Sequence, residues 1–312
     1  MRRQHDVVCR LVDAGGDPNQ NGYADNSVRP MLFTAACTAG SLGLLKGLLE
    51  KGADPNIRDP ADGKTALHHY RRSALARASI ATVKTLLEHG ASPELADHEG
   101  ETPLHAIAHT GTLEECKLCL DRCADAVLHR ETPHGETLLH YAAAGKRIDV
   151  MEYLIDRGLD INAVNNNGWT PLLCALMPTS RTGISAAEDA ANLLLRHGAR
   201  ADTVTAENWT PIHALASWPV RYRDNDAQTV GPRLARELIS RGASLDAEAS
   251  VLRGSDVTAS AVCGKWGFRM QRLAETERGR KTEDTVPDEE TTPHMWASRT
   301  KSTKLFRAIL DH

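Results

Sequence analysis

A chain of 312 residues would ordinarily make about two domains, and its formal net charge of −4, with both signs interspersed, holds no basic stripe for nucleic acid or a membrane surface. No apolar run approaches a bilayer span, and Val7-Val8 gives way at once to Cys9-Arg10, so no signal-peptide core opens the chain. Seven cysteines without framework spacing read as the reduced thiols of an intracellular protein, cytosolic or nuclear.

In chain order, Val7-Val8 and Leu11-Val12 predict a helix, and Gly15-Gly16-Asp17-Pro18-Asn19 a turn after it. From there two phrases alternate. The first begins with a capping threonine: Thr65-Ala66-Leu67-His68, Thr102-Pro103-Leu104-His105, Thr137-Leu138-Leu139-His140, Thr170-Pro171-Leu172-Leu173 and Thr210-Pro211-Ile212-His213. Threonine caps a helix with its hydroxyl, and proline beside it suits the first helical position, where no N–H is needed. Small residues such as Ala36-Cys37 and Ala142-Ala143 then let neighbouring helices approach. A second helix carries an apolar stripe at helical spacing: Leu44-Leu45 with Leu48-Leu49, Val83 with Leu86-Leu87, Val150-Met151 with Leu154-Ile155. The second phrase closes that helix and opens a turn: Gly52-Ala53-Asp54-Pro55-Asn56, Gly90-Ala91-Ser92-Pro93, Cys123-Ala124-Asp125, Gly158-Leu159-Asp160, Gly198-Ala199 and Gly242-Ala243-Ser244.

A supersecondary unit copied at a period of about 33 residues has the ankyrin size, and the chain resembles an ankyrin repeat protein from end to end. The resemblance implies an all-α solenoid of stacked antiparallel helix pairs with β-hairpin or loop fingers, in one domain over 1–312. Its segments are a partial repeat at 1–26, then 27–61, 62–98, 99–133, 134–166, 167–206 and 207–254, a degenerate unit at 255–288 and a partial repeat at 289–312. Both ends fall in mid-repeat, which predicts a slice of a longer array. In the degenerate unit Arg269, Gln271 and Arg272 stand where apolar residues belong, so a decayed repeat and a disordered interruption are both open.

Register tests the reading. Thr102 to Cys123 and Thr137 to Gly158 each span 21 positions, whereas Thr65 to Gly90, Thr170 to Gly198 and Thr210 to Gly242 span 25, 28 and 32. The gap from closing glycine to the next threonine stays near 12, as from Gly90 to Thr102, Gly158 to Thr170 and Gly198 to Thr210, so the insertions fall between the two helices of a unit, never in the fingers. Residues around Arg71–Arg77 should lengthen a helix; those around Pro178–Ser185 and Trp218–Thr229 should form loops.

The motifs of chemistry dissolve into this register. His105, His109, Cys116, Cys119 and Cys123 suggest zinc at first sight. Yet His105 sits at the position with a structural hydrogen-bonding role in the family resembled, Cys116 and Cys119 fall on the buried stripe, and Cys123 replaces a closing glycine. Adjacent His68 and His69 point different ways. The glycines are closers and turn formers, and no nucleophile–base pair stands outside the repeat positions, so no catalytic residue, metal or cofactor is expected.

By resemblance, recognition falls to the finger tips and to the two residues after the small pair. In this sequence those are His98, Glu99 and Glu101, His109 and Thr110, His134 and Glu136, Asn166, Asn167 and Trp169, and Glu207 and Trp209. The mix of acid, amide and histidine favours a polar or basic partner, and His98, His109 and His134 permit binding that varies between about pH 6 and 7. The function expected is a non-catalytic scaffold or adaptor, a monomer holding another protein on its concave surface, with no nucleic acid and no membrane. The alternative is the recognition arm of a larger multidomain enzyme or signalling ATPase.

Overall fold

The computed structural model describes residues 14–19, 21–24, 27–30, 35, 42–69, 79–176, 184–206, 209–216 and 225–243. The helix expected at the start of the chain, the degenerate unit 255–288, the partial repeat 289–312, Arg71–Arg77, most of the two loop insertions and Glu207 lie outside the described residues. The chain divides into two compact units, Met1–Thr132 and Pro133–His312.

The first unit opens with a two-stranded antiparallel hairpin, β1 (Asn21–Ala24) and β2 (Ser27–Pro30), with Tyr23 opposite Val28. Among the described residues there follow α1 (Leu42–Glu50), α2 (Ala66–His69), α3 (Ser79–Glu88), α4 (Pro103–Thr110) and α5 (Leu113–Leu120), then a 3-10 turn at Asp125–His129. The second-phrase helices α1, α3 and α5 pack in series, and α2 packs on α4. The second unit holds α6 (Leu138–Ala144), α7 (Ile148–Asp156), α8 (Pro171–Leu176), α9 (Ile184–Arg196), α10 (Pro211–Ala216) and α11 (Asn225–Ser240). Again the short helices α6, α8 and α10 form one layer and the longer α7, α9 and α11 the other. This is the helix-pair solenoid that the alternation predicts.

Local chemistry explains the element ends. Thr102 and Thr137 adopt the extended N-cap conformation, and Pro103 follows Thr102 at the first helical position. After α1, α3, α7, α9 and α11, Gly52, Gly90, Gly158, Gly198 and Gly242 take φ between 87° and 94°, a left-handed turn that a side chain would strain. The next N–H then reaches back into the last turn, as Ala91 N donates to Leu86 O at 2.9 Å and Ala199 N to Leu194 O at 2.9 Å. Between the layers lie Leu45, Leu48, Leu86 and Ile107 in the first unit, and Met151, Leu154, Leu173 and Leu194 in the second, all fully buried. Each such side chain contributes about 1.5–3 kcal/mol of transfer free energy.

The two insertions expected as loops are partly helical. Ile184–Ser185 belong to α9 and Asn225–Thr229 to α11, which runs for 16 residues through Gly231 and Pro232. Arg233 bonds Glu188, joining α11 to α9.

Candidate protein-binding surface

Four of the fingers are each folded by one side chain. In the first unit Asp97 Oδ1 accepts from the N–H groups of Glu99 and Glu101, both at 2.9 Å, while Asp97 N donates to Glu101 O at 2.8 Å. Asp59 does the same work one repeat earlier, accepting from Ala61 N at 2.9 Å. In the second unit Asn165 Oδ1 accepts from Asn167 N at 3.0 Å and Trp169 N at 2.9 Å, and Thr205 Oγ1 accepts from Trp209 N at 3.0 Å. Short polar side chains that bond the backbone a few residues on are the reason turns form here. Neighbouring tips are then joined by backbone bonds: His98 N to Asp62 O at 3.0 Å, Asn166 N to His134 O at 2.9 Å, and Ala206 N to Asn167 O at 2.9 Å.

Histidine wires two of the fingers to the helix before them. His68 Nδ1 accepts from Thr65 N at 2.9 Å, and its Nε2 lies 3.1 Å from Glu101 O. His140 Nδ1 accepts from Thr137 N at 3.2 Å, and its Nε2 lies 3.0 Å from Trp169 O. A carbonyl only accepts, so the Nε2 of each ring carries the proton and Nδ1 is the bare acceptor. Burial pushes the His140 pKa down to about 4, against the weaker pull of Trp169 O, and burial does the same to His105. Both rings are neutral at physiological pH.

The residues expected to face a partner fall into two groups. His98, Glu99, Thr110 and Asn166 are exposed, and His109, His134 and Asn167 are half-buried. Thr110 turns its hydroxyl back to Ala106 O at 2.9 Å, and Asn166 Nδ2 donates to Pro133 O at 3.1 Å. Glu101, Glu136, Trp169 and Trp209 are instead interior, with exposures of 5%, 1%, 8% and 4%. All four precede the capping threonine, where the side chain folds in beneath its own turn. Glu136 Oε1 accepts from Asn165 Nδ2 at 3.3 Å. These four therefore shape the fingers and do not present a side chain to solvent; Glu207 lies outside the described residues.

Cys116 and Cys119 are buried, and Cys123 donates to Cys119 O at 3.1 Å. Burial pushes the Cys123 thiol up to about 12 and that of Cys119 higher, so both are protonated at physiological pH. Among the described residues one cluster has the donor set for a cation: carboxylate oxygens of Asp97, Glu99 and Glu101 lie within 4.8 Å of one another. Lys64 Nζ already stands there, 3.5 Å from Asp97 Oδ2 and 4.0 Å from Glu101 Oε2. Burial, then the neighbouring Glu101 charge, holds the Asp97 carboxyl above its ordinary range.

Three features escaped the sequence reading. Val164 and Val204 are the large apolar side chains most open to solvent among the described residues, 58% and 47% exposed, each one residue before the side chain that folds its finger. Their common spacing from Asn165 and Thr205 was the signal. Asn56 and Asn162 each bracket the following repeat: Asn56 Nδ2 donates to Gly90 O at 2.9 Å and its Oδ1 accepts from Ser92 N at 2.8 Å, and Asn162 repeats the pattern with Gly198 and Arg200. Lys146 is the single non-glycine residue with positive φ among those described, at 56°, and its Nζ donates to Cys174 O at 2.8 Å.

A family profile described as "Ankyrin repeats (3 copies)" matches residues 72–165 and 127–187. Diacylglycerol kinase zeta of Rattus norvegicus is 32% identical over 75 residues, 24% of this chain and 8% of that one. A probable 26S proteasome regulatory subunit, p28 of Saccharomyces cerevisiae, is 27% identical over 183 residues, 58% of this chain and 77% of that one. The chain thus spans most of the yeast subunit and a small part of the kinase. The crystal structure of the ankyrin repeat domain of Bcl-3 superposes with a TM-score of 0.51 at 21% identity, covering 94% of this chain and all of that one, and shares the fold.

Proposed function

We propose that this chain, whose fold is that of an ankyrin repeat domain, is an ankyrin repeat protein and serves as a non-catalytic scaffold or adaptor that binds another protein through its finger tips and the ends of its short helices. One observation carries this reading. Backbone groups at the tips are bonded within a finger or to the next one, and the side chains of His98, Glu99 and Asn166 stand exposed along those tips, with Thr110 exposed at the end of a short helix. Such side chains contact a partner at little cost to the fold, and few interface positions carry most of the energy. Half-buried His109 joins the exposed residues of the first unit, and half-buried His134 and Asn167 join Asn166 in the second. Around Asp62 and Glu99 acid outnumbers base, which suits a polar or basic partner. The chain acts as a monomer inside the cell; no helix among the described residues is long and apolar enough to cross a membrane.

A second reading draws on the kinase similarity: the repeats serve as the recognition arm of a larger enzyme. The reading frame on either side of this chain discriminates between the two. The test of binding itself is affinity capture from native lysate with the intact chain and with a His98→Ala/Glu99→Ala/Thr110→Ala variant. A partner held by the first and lost by the second, with unchanged thermal melting, supports the tip surface. Equal capture by both removes these residues from it.

A further inference from the structure

From the geometry of one finger we infer that Asn167 is a spontaneous deamidation site whose reaction is gated by the parting of two neighbouring fingers. Asn167 is followed by Gly168. An Asn-Gly pair closes a succinimide ring readily because glycine, lacking a Cβ, leaves its backbone nitrogen unhindered. The deprotonated Gly168 nitrogen attacks Asn167 Cγ; the N–Cγ bond forms, the Cγ–Nδ2 bond breaks, and Nδ2 leaves with a proton as ammonia. Water then opens the ring at either carbonyl, giving aspartate or its backbone-rerouted isomer, isoaspartate. Nothing is oxidised or reduced, and water is the single co-reactant. Asn165 and Asn166 sit in the same run, but each is followed by a residue with a Cβ, so Asn167 is the reactive one of the three.

The closed finger opposes each part of this step. Gly168 N donates to Asn165 O at 2.9 Å, so the attacking nitrogen has its proton engaged and its direction fixed. Asn167 is pinned on both sides, its N–H donating to Asn165 Oδ1 at 3.0 Å and its carbonyl accepting from Ala206 N at 2.9 Å. Gly168 also lies hard against the next finger: a Cβ built there would stand 2.7 Å from Thr205 Cα and 3.0 Å from Val204 O. Rotation about the Asn167–Gly168 linkage therefore has no room until the finger of Asn165 separates from that of Thr205. Once formed, isoaspartate adds a methylene to the backbone at that packed point and a carboxylate to the tip row. The finger then does not reseat, which makes the reaction a one-way record of opening. The inference is independent of what the surface binds.

The test keeps the intact chain at about pH 7.4 and 37 °C in native buffer, in guanidinium below the unfolding transition, and in guanidinium above it. Peptide mapping by mass spectrometry reads the gain of about one dalton at Asn167, apart from the other Asn-Gly pair, Asn21-Gly22, in β1. The expected result is product at Asn167 in all three, at least about tenfold slower in native buffer than in the unfolded chain, because local opening limits it. The native rate should also climb with sub-denaturing guanidinium, since opening exposes surface. A native rate equal to the unfolded one removes the gate. Product absent from the native chain, or from the unfolded one, removes the site; a native rate flat in guanidinium removes finger opening as the cause.

Discussion

The same finger is built twice, its tip folded by a charged side chain in the first unit and by a neutral one in the second. Asp59 and Asp97 fold the tips of the first, and the positions before the capping threonines hold Lys64 and Glu101. Asn165 and Thr205 fold the tips of the second, and the matching positions hold Glu136, Trp169 and Trp209. Backbone geometry is conserved between them: Asp97 N to Glu101 O and Asn165 N to Trp169 O are 2.8 and 3.0 Å. Any short acceptor at the folding position suffices, therefore, and what differs is the source of stability. The first unit holds partly desolvated charges in a cluster, where Coulomb attraction and desolvation nearly cancel. The second buries two indoles, whose large apolar area is a net gain.

The contrast is sharpest for the tryptophans. Trp169→Ala should cost about 3 kcal/mol or more of the second unit's stability, as large-to-small changes at buried aromatic sites do, read as a lower urea midpoint. A loss below about 1 kcal/mol would mean the indole is only a lid over its turn.

His140→Ala comes next, at about 2 kcal/mol, because it leaves the Thr137 N–H and the Trp169 carbonyl without their ring partner. It also carries a pH signature. With its folded pKa lowered from 6.5 to about 4, the native ring resists protonation and the unfolded ring does not. Its contribution is complete above about pH 6.5 and is lost as pH falls toward 4, since the unfolded state then binds the extra proton. Urea melts between pH 7 and 4 should show a shallower decline in the variant than in the wild type.

Asp97→Asn converts a first-unit finger to the second-unit chemistry. It keeps the Oδ1 acceptor, so the change should stay within about 1 kcal/mol, whereas Asp97→Ala should cost about 2. Equal losses for both would show that the negative charge, not the acceptor, folds the tip. Smallest of all is Val164→Thr, expected within about 0.5 kcal/mol in thermal melts because the side chain stands mostly in water.

How much of this was legible depends on whether a signal was local. The caps at Thr102 and Thr137 and the left-handed glycines from Gly52 to Gly242 read directly from sequence, since one residue type serves one backbone conformation. Burial at the fingers did not. Glu101 and Trp169 sit among polar turn residues and look like tip positions, and only the fold of the turn brings them inside. Position within the hairpin decides this, and a row that holds Lys64, Glu101, Glu136, Trp169 and Trp209 gives no compositional hint. The helical start of α11 was hidden for a related reason. An insertion measured from register has a length but no conformation.

The asparagine brackets have a mechanical consequence. Asn162 ties its repeat to the next at Gly198 and Arg200, while Ala206 and Asn167 tie the same two repeats at the tips. Two lines of attachment at opposite ends of a finger behave like a pair of rivets in adjoining plates. One rivet leaves a swivel; two suppress twist and leave bending as the soft mode. Pulled from its ends, the second unit should then yield plate by plate, each giving way only when both rivets shear together.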